Sequence, residues 1–412
     1  MNEIIEVYIW PDKFIGNLFF RLNNGKQSSS FEYNKEWIKD TKNSFAIEPE
    51  LELYSIQYHS KRDFIFGSFA DCSPDRWGRN LIIRKETKRA ENFKQAPKFV
   101  TELDFLLGVN DETRQGALRF KLKGENEYLA ENKKNSIPPL ISLPKLLNAA
   151  KKVLDSKETE EELMILLNGG SSLGGARPKA SIYKNNILSI AKFPKNDDDL
   201  NITLWEALAL SLAKNAGISV PDWSVEKAAG KDVLILSRFD RIGKTRIPFI
   251  SAMTMIGAND REQHSYLEIA NSIIKEGENP ELDLKELWRR MVFNISISNL
   301  DDHLRNHGFL LDEKKCWKLS PAYDMNPVPR QSKPNFHVLS IDYTSTEGLI
   351  DTAFSVLDDF RLNKKEAEKI YRKVIDSVSE WKDTARSLGI SKQEITVMES
   401  SFLIKTNNFY FS

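Results

Sequence analysis

Apolar residues follow two regimes along the chain. In the first half they alternate with polar residues in short runs. In the second half they recur every three or four positions over long stretches. Residues 4–10 (IIEVYIW) and 14–20 (FIGNLFF) predict two strands, with a turn at Pro11-Asp12. Phe31 to Tyr33 predicts another short strand, continued at Trp37-Ile38. Ser73-Pro74-Asp75 predicts a helix start, with Ser73 as cap and Pro74 in the first position. The charged stretch 84–98 that follows reads as a solvated face, or as an electrostatic contact to a partner or DNA. A helix is predicted over 101–109, a strand over 116–120, a linker over 124–139 and a pair of helices over 143–167. Strands follow at 179–183 and 187–193, then a helix over 204–216 capped by Gly217, then a strand over 233–236. The remainder is helical at 264–275, 284–299, 351–360, 363–386 and 391–405. A β-rich first half followed by a helical second half predicts an α+β architecture of two lobes.

Composition then narrows the class. A length of 412 residues suggests two or three domains with ample cores. Basic and acidic side chains balance at 59 each, which gives no sign of a protein that coats DNA or a membrane surface. The two cysteines, Cys72 and Cys316, lie far apart in sequence and read as reduced thiols of a cytoplasmic protein. Five histidines without paired cysteines argue against structural zinc. The first residues lack the pattern of a signal peptide, and no run approaches the roughly 18 to 20 apolar residues of a membrane span.

The candidate chemistry lies in two places. Residues 168–179 (NGGSSLGGARPK) form a glycine-rich loop whose backbone N–H groups can approach phosphate oxygens closely. It is neither a Walker motif nor the opening of a Rossmann unit. The two strands after it make a kinase-style roof over a nucleotide, with Lys192 on the second strand as the phosphate lysine. Glu206, read in the first turn of the next helix, is placed either to anchor Lys192 or to favour the helix dipole. The segment Ser237-Arg238-Phe239-Asp240-Arg241 falls where a hinge between lobes is expected.

The second place is 299–326 (NLDDHLRNHGFLLDEKKCWKLSPAYDMN). Apolar pieces at 308–311 and 316–319 around a polar connector predict a hairpin, so its outer ends lie side by side. Asn306 just before the hairpin and Asp324 just after it then bring an amide oxygen and a carboxylate together, as Mg²⁺ requires. Asp301 precedes Asn306 at the D-x-x-x-x-N spacing of a kinase catalytic loop, in which the Asp accepts the hydroxyl proton.

Together the segments GGSSLGGARPKA, LSIAKFP, LSRFDR, NLDDHLRNHGF and LSPAYDMNP closely resemble the HipA-type serine/threonine kinases of bacterial toxin–antitoxin modules. FIFGSFADCSPDRWGRNL and LLGVNDETRQGALRF resemble that family's N-terminal subdomain, so the resemblance covers nearly the whole chain. It implies a HipA-like N-terminal subdomain at 1–135, the nucleotide-binding part of the N-lobe at 136–242 and a helical C-lobe at 243–412. It implies Asp301 as catalytic base, Asn306 and Asp324 as Mg²⁺ ligands and Lys192 as the ATP-phosphate lysine. Ser171, Ser172, Leu173, Gly174, Gly175, Lys179, Ser237, Phe239 and His303 are expected around the ATP, with Ser172 as the autophosphorylated serine. Asp302 shares Asp301's task, or serves as a cap or to orient His303. The family phosphorylates a protein, in known cases an aminoacyl-tRNA synthetase. It is neutralised by a small helix-turn-helix antitoxin that also binds operator DNA. The rival readings are a small-molecule kinase and a DNA-bound co-repressor that acts with such an antitoxin.

Overall fold

The computed structural model describes residues 2–60, 64–128, 137–138, 140–169, 175–195, 197–259, 262–329 and 336–402. The chain divides into two units, residues 1–196 with 226–250, and residues 197–225 with 251–412.

In the first unit, β1 (Asn2–Ile9), β2 (Lys13–Asn23), β3 (Lys26–Tyr33), β4 (Gln57–His59) and β5 (Leu118–Leu122) form an antiparallel sheet ordered β4-β3-β2-β1-β5. Alternation works as expected: Ile5, Val7 and Ile9 are buried. Ile5 pairs with Leu18 and Leu122, and Val7 with Gly16 and Phe120. Gly16 is required, because a Cβ there would run into the Glu32 carbonyl and the Phe31 ring. Trp37 and Ile38 do not continue β3. They lie in α1 (Lys35–Lys39), because Asn34 Oδ1 accepts the N–H groups of Glu36 (2.7 Å) and Trp37 (3.3 Å) and starts a helix. The sheet core is closed by α2 (Gly67–Asp71), whose Phe69 packs edge-on to Phe31 and Phe120.

The long helix α3 (Arg76–Asn92) begins at Asp75, not at Ser73: Asp75 Oδ1 accepts the Gly78 N–H at 2.9 Å. Ser73 instead donates to the Phe69 carbonyl at 3.1 Å. α4 (Glu102–Gly108) follows behind a Thr101–Asp104 capping box. Trp77 and Leu81 of α3 share a second core with α5 (Leu143–Leu154) and α6 (Glu160–Asn168). That core faces a sheet of β6 (Lys179–Lys184), β7 (Ile187–Lys192), β8 (Trp223–Ala228) and β9 (Lys231–Ser237), ordered β6-β7-β9-β8.

The short strands β10 (Arg241–Ile242), β11 (Thr245–Arg246) and β12 (Phe249–Ser251) come next. The segment leading to them, read as a hinge, is bound within this unit to the loop before β5. Asp240 is fully buried and accepts from the Gly116 N–H (2.8 Å), Arg238 Nε (2.8 Å) and Arg241 Nη1 (2.7 Å). Arg238 Nη1 donates to the Thr113 carbonyl at 2.7 Å. Burial alone would push the Asp240 carboxyl up, but Arg238 and Arg241 outweigh it and hold the group well below the usual carboxylate range.

In the second unit, α7 (Ile202–Asn215) is apolar on all sides, with Leu204, Trp205, Leu208, Leu210 and Leu212 buried. It ends as predicted at Gly217, whose φ of +84° suits glycine. Its start is earlier than predicted, since Asn201 is the cap, so Glu206 lies beyond the first turn and the dipole argument does not apply. The other helices are α8 (Ala252–Ile256), α9 (Tyr266–Glu276), α10 (Pro280–Ser296), α11 (Ile350–Ser355), α12 (Lys364–Ser379), α13 (Trp381–Ser387) and α14 (Lys392–Met398). α12 is tied to α7 by Ser377, whose hydroxyl donates to the Leu212 carbonyl at 2.6 Å. α14 is tied to it by Glu394, which accepts the Trp205 indole N–H at 3.0 Å. The one hairpin described in this unit is β13 (Gly308–Leu311) with β14 (Trp317–Leu319). Among the described residues no helix is long and apolar enough to cross a membrane.

Candidate active site

In the first unit Gly175, Lys179 and Lys192 lie at the start of β6 and the end of β7, whereas Ser237 and Phe239 do not. Ser171, Ser172, Leu173 and Gly174 lie outside the described residues. Gly175 has a φ of +93°, which glycine adopts without strain. Lys179 and Lys192 are direct partners across β6 and β7. Directly opposite residues share a face, so two lysines there repel each other. Asp75 offsets this on one side: its Oδ2 lies 2.7 Å from Lys179 Nζ, with both side chains buried. Lys179 Nζ also donates to the Gly175 carbonyl at 3.4 Å, and its own carbonyl accepts the Trp77 indole N–H at 3.1 Å. Lys179 therefore joins the described end of the glycine-rich loop to the cap of α3. Lys192 is buried, with Leu234 of β9 on its other side. Ser237 closes β9 opposite Ser189, and Phe239 packs on Phe249 with ring centroids 6.1 Å apart. Glu206, the expected anchor of Lys192, belongs to the second unit and is buried in α7.

In the second unit the hairpin forms as predicted, with Phe309 opposite Leu319 and Leu311 opposite Trp317. Asp312 Oδ1 accepts the N–H groups of Lys314 and Cys316, each at 2.9 Å, and shapes the connector. The ladder is extended by the Ser320 N–H, which donates to the Gly308 carbonyl at 2.8 Å. Beyond it, Tyr323 Oη donates to the Arg305 carbonyl at 2.7 Å. The neighbours of Asn306 and Asp324 are thus bonded to each other.

Asn306 is buried, and its Nδ2 donates to the Asp301 carbonyl at 3.1 Å. Its Oδ1 is also buried and has no hydrogen-bond partner among the described residues. Asp324 has a φ of +58°, in the left-handed region that Asp and Asn visit more readily than other non-glycine residues. Such a conformation persists where the surroundings impose it.

The two adjacent aspartates have opposite environments. Asp301 is exposed. Asp302 is buried, and its Oδ2 takes hydrogen bonds from the Tyr266 hydroxyl, Asn294 Nδ2 (2.9 Å) and His307 Nε2 (2.8 Å). Burial would raise the Asp302 carboxyl, but the His307 ring and the hydrogen bonds prevail and keep it below the usual range. Burial and the same carboxylate push the Tyr266 hydroxyl well up. His303 is half-buried, and its Nδ1 has no partner among the described residues.

These donors suit a hard cation. Asn306 offers an amide oxygen with no donor among the described residues and Asp324 a carboxylate, which together would leave coordination positions for phosphate and water, as Mg²⁺ prefers. Among the described residues no group of three or more His, Cys, Asp or Glu is placed to hold a metal. Sequence reasoning missed Asn294, Tyr323 and Asp75. Asp75 left a signal, being itself a good cap two residues after Ser73. Asn294 and Tyr323 left none that local pattern could separate from an ordinary helix and loop.

Residues 171–382, just over half of the chain, match the model of the HipA-like C-terminal domain. A curated protein of Haemophilus influenzae, provisionally named as a kinase, is 29% identical over 143 residues, and the match covers 30% of this chain and 41% of that protein. The match therefore spans less than half of that relative's length. Among solved structures, a chain from the Shewanella oneidensis MR-1 complex of HipA, HipB and operator DNA has a TM-score of 0.68 at 15% identity, covering 97% of this chain and 95% of that one. The Helicobacter pylori proinflammatory kinase CtkA has a TM-score of 0.40 at 14% identity, covering 56% of this chain and 92% of that one, too low a score to bear on the fold. The Shewanella likeness takes in the N-terminal stretch that the family match does not reach. The fold is α+β and protein-kinase-like, β-rich in its first half with an extra N-terminal subdomain, and helical in its second. The chain belongs to the HipA-like C-terminal domain family.

Proposed function

We propose that this chain is an ATP- and Mg²⁺-dependent serine/threonine-protein kinase, the toxin component of a HipBA-like module. Asn306 carries the reading: a buried amide oxygen without a donor among the described residues, in a loop whose Arg305 carbonyl accepts from Tyr323, the neighbour of Asp324. An unsatisfied buried acceptor costs about 1–3 kcal/mol, which a bound cation removes. Magnesium on Asn306 and Asp324 supplies neutralisation of the phosphate charge when bound. Lys192 donates to a phosphate oxygen. Asp301, whose side chain is exposed, accepts the proton of the attacking hydroxyl. Asp302 stays buried and fixes the loop by holding His307. Ser171, Leu173, Gly174, Gly175, Lys179, Ser237, Phe239 and His303 surround the nucleotide in this reading.

The phosphoryl group passes to a protein hydroxyl, an aminoacyl-tRNA synthetase being the substrate that the family resemblance implies. In self-phosphorylation the Ser172 oxygen forms the new P–O bond as the bond to ADP breaks. The product carries roughly −1.5 to −2 charges, repels ATP phosphates and is inactive. The partner is a small helix-turn-helix antitoxin, through which the chain reaches operator DNA. Similarity to a chain solved with HipB and operator DNA supports that partner.

The test incubates the purified chain with γ-labelled ATP and a host lysate. One labelled protein is expected, with the label lost in Asp301→Ala and Asp324→Ala while circular dichroism is unchanged. Label retained in either variant sinks the assignment. Label that passes only to metabolites indicates a small-molecule kinase. Absence of Mg²⁺–ATP binding by calorimetry leaves the co-repressor role. Mass spectrometry that finds no phosphate on Ser172 after ATP incubation removes the self-inactivation step.

A further inference from the structure

Within the second unit a line of hydrogen bonds runs in one direction through two side-chain amides. The Asn326 N–H donates to Asn299 Oδ1 at 3.3 Å. Asn299 Nδ2 donates to Asn294 Oδ1 at 3.1 Å. Asn294 Nδ2 donates to Asp302 Oδ2 at 2.9 Å. Chemistry fixes both ends, since a peptide N–H only donates and a carboxylate only accepts, so each amide has a single workable orientation. Asn294 and Asn299 are 3% and 1% exposed, so water does not offer them alternatives. The line starts two residues after Asp324 and ends on the neighbour of Asp301. A parallel tie runs from the Val328 N–H to the Ser298 carbonyl at 3.2 Å.

We propose that Asn299 and Asn294 are positioning residues, whose directional amide line sets the turn carrying Asp324 against the loop carrying Asp301 and Asn306 and thereby sets the affinity for Mg²⁺–nucleotide. The inference rests on the proposed kinase reading. Asp324 sits at positive φ, a conformation open to Asp, and the bonds on either side of it select that conformation. A buried hydrogen-bonded line of fixed polarity restricts the arrangement of the segments that it joins. Asp302 carries the constraint onward, because the same oxygen holds His307, the residue after Asn306.

The test is the polarity of the line. Asn299→Asp keeps the size of the side chain and the acceptor for Asn326, but sets an acceptor against Asn294 Oδ1. Mg²⁺–ATP affinity, measured by calorimetry, is expected to fall about 10-fold or more, as losses behind a metal site do. Affinity for ATP without Mg²⁺ and the circular dichroism spectrum are expected to stay unchanged. The double variant Asn299→Asp/Asp302→Asn reverses the line, with the amide at 302 donating to Asn294 and Asn294 donating to the carboxylate at 299. His307 can follow by moving its proton to Nδ1, which has no partner among the described residues, and the Tyr266 hydroxyl, which now accepts from Asn294 Nδ2 at 3.2 Å, can follow by donating to Asn294 Oδ1. Mg²⁺–ATP affinity is expected to recover to within about 3-fold. Where Asn299→Asp does not fold, Asn299→Ala, which removes both bonds without opposing two acceptors, takes its place with the same expected loss. An unchanged Mg²⁺–ATP affinity, an equal loss with and without Mg²⁺, or a double variant no better than the single one overturns the inference. Wild-type protein that binds no Mg²⁺–ATP overturns the kinase reading and the inference with it. Normal wild-type binding beside an unaffected variant overturns the inference alone.

Discussion

Tyr323 donates its hydroxyl to the carbonyl of Arg305 at 2.7 Å, which fastens the residue before Asp324 to the residue before Asn306. Removing that one hydroxyl leaves the ring and its burial intact. Tyr323→Phe is expected to lower stability by about 1 kcal/mol in urea denaturation. It is also expected to raise the Mg²⁺ concentration needed for half-maximal labelling several-fold, of order 10-fold at most. A loss of stability with no change in Mg²⁺ dependence would confine Tyr323 to the fold.

The two neighbouring aspartates separate the proposed chemistry from structure. Asp301 is exposed, so Asp301→Ala should abolish labelling and shift the melting temperature by less than about 2 °C, as surface substitutions do. Asp302 is buried under donors from Tyr266, Asn294 and His307. Asp302→Ala strands all three, and a loss on the order of 3 kcal/mol is expected. Differential scanning calorimetry of the two variants reads the contrast directly. Equal destabilisation would contradict the assignment of separate roles.

That contrast marks the limit of what the sequence disclosed. Alternation located β1 and β2, because each buries alternate residues, and helical apolar spacing located α10 and α7, the latter buried on nearly all sides. The hairpin was legible because its two apolar pieces flank a polar connector, and with it came the bond between Tyr323 and Arg305, the neighbours of Asp324 and Asn306. Local competition defeated other expectations. Trp37 and Ile38 look like strand residues, but Asn34 caps a helix over them. Ser73 looks like a cap, but Asp75 two residues later accepts the helix N–H. What joins Asp302 to Asn294 or Lys179 to Asp75 is long-range, and no local period encodes it.

Asp240 tests the buried guanidinium–carboxylate cluster of the first unit. It is enclosed by Arg238, Arg241 and the Gly116 N–H, so Asp240→Asn leaves two buried cations without their counter-ion. A loss of about 3–5 kcal/mol is expected in chemical denaturation. The sign with pH follows from the depressed carboxyl. Its stabilisation is present above the unfolded value of about 4 and is lost as pH falls below it. The gap between wild type and variant should therefore be constant from pH 6 to 8 and shrink under acid. A variant as stable as wild type at pH 7 would remove the cluster from the account of this unit.

Glu48 gives the opposite dependence in the same unit. It is buried at 3% exposure, and its carboxyl is pushed up to about 7, chiefly by burial, with the Ser68 N–H pulling the other way and Glu50 and Asp71 adding to the rise. Folded protein then holds this proton up to about pH 7, whereas an unfolded chain releases it near pH 4.3. Between those limits the folded state binds more protons than the unfolded state, so stability falls as pH rises, by about 1.4 kcal/mol per pH unit from this group alone. Below the unfolded value the contribution is complete, and above about pH 7 it is gone. Glu48→Gln keeps the shape and an acceptor for Ser68 but has no proton to lose. Its stability relative to wild type should therefore rise steadily from pH 5 to 7 and level off above that. Urea denaturation of both proteins at pH 5, 6, 7 and 8 measures the difference. Parallel curves across that range would show that Glu48 titrates alike in the folded and unfolded chain.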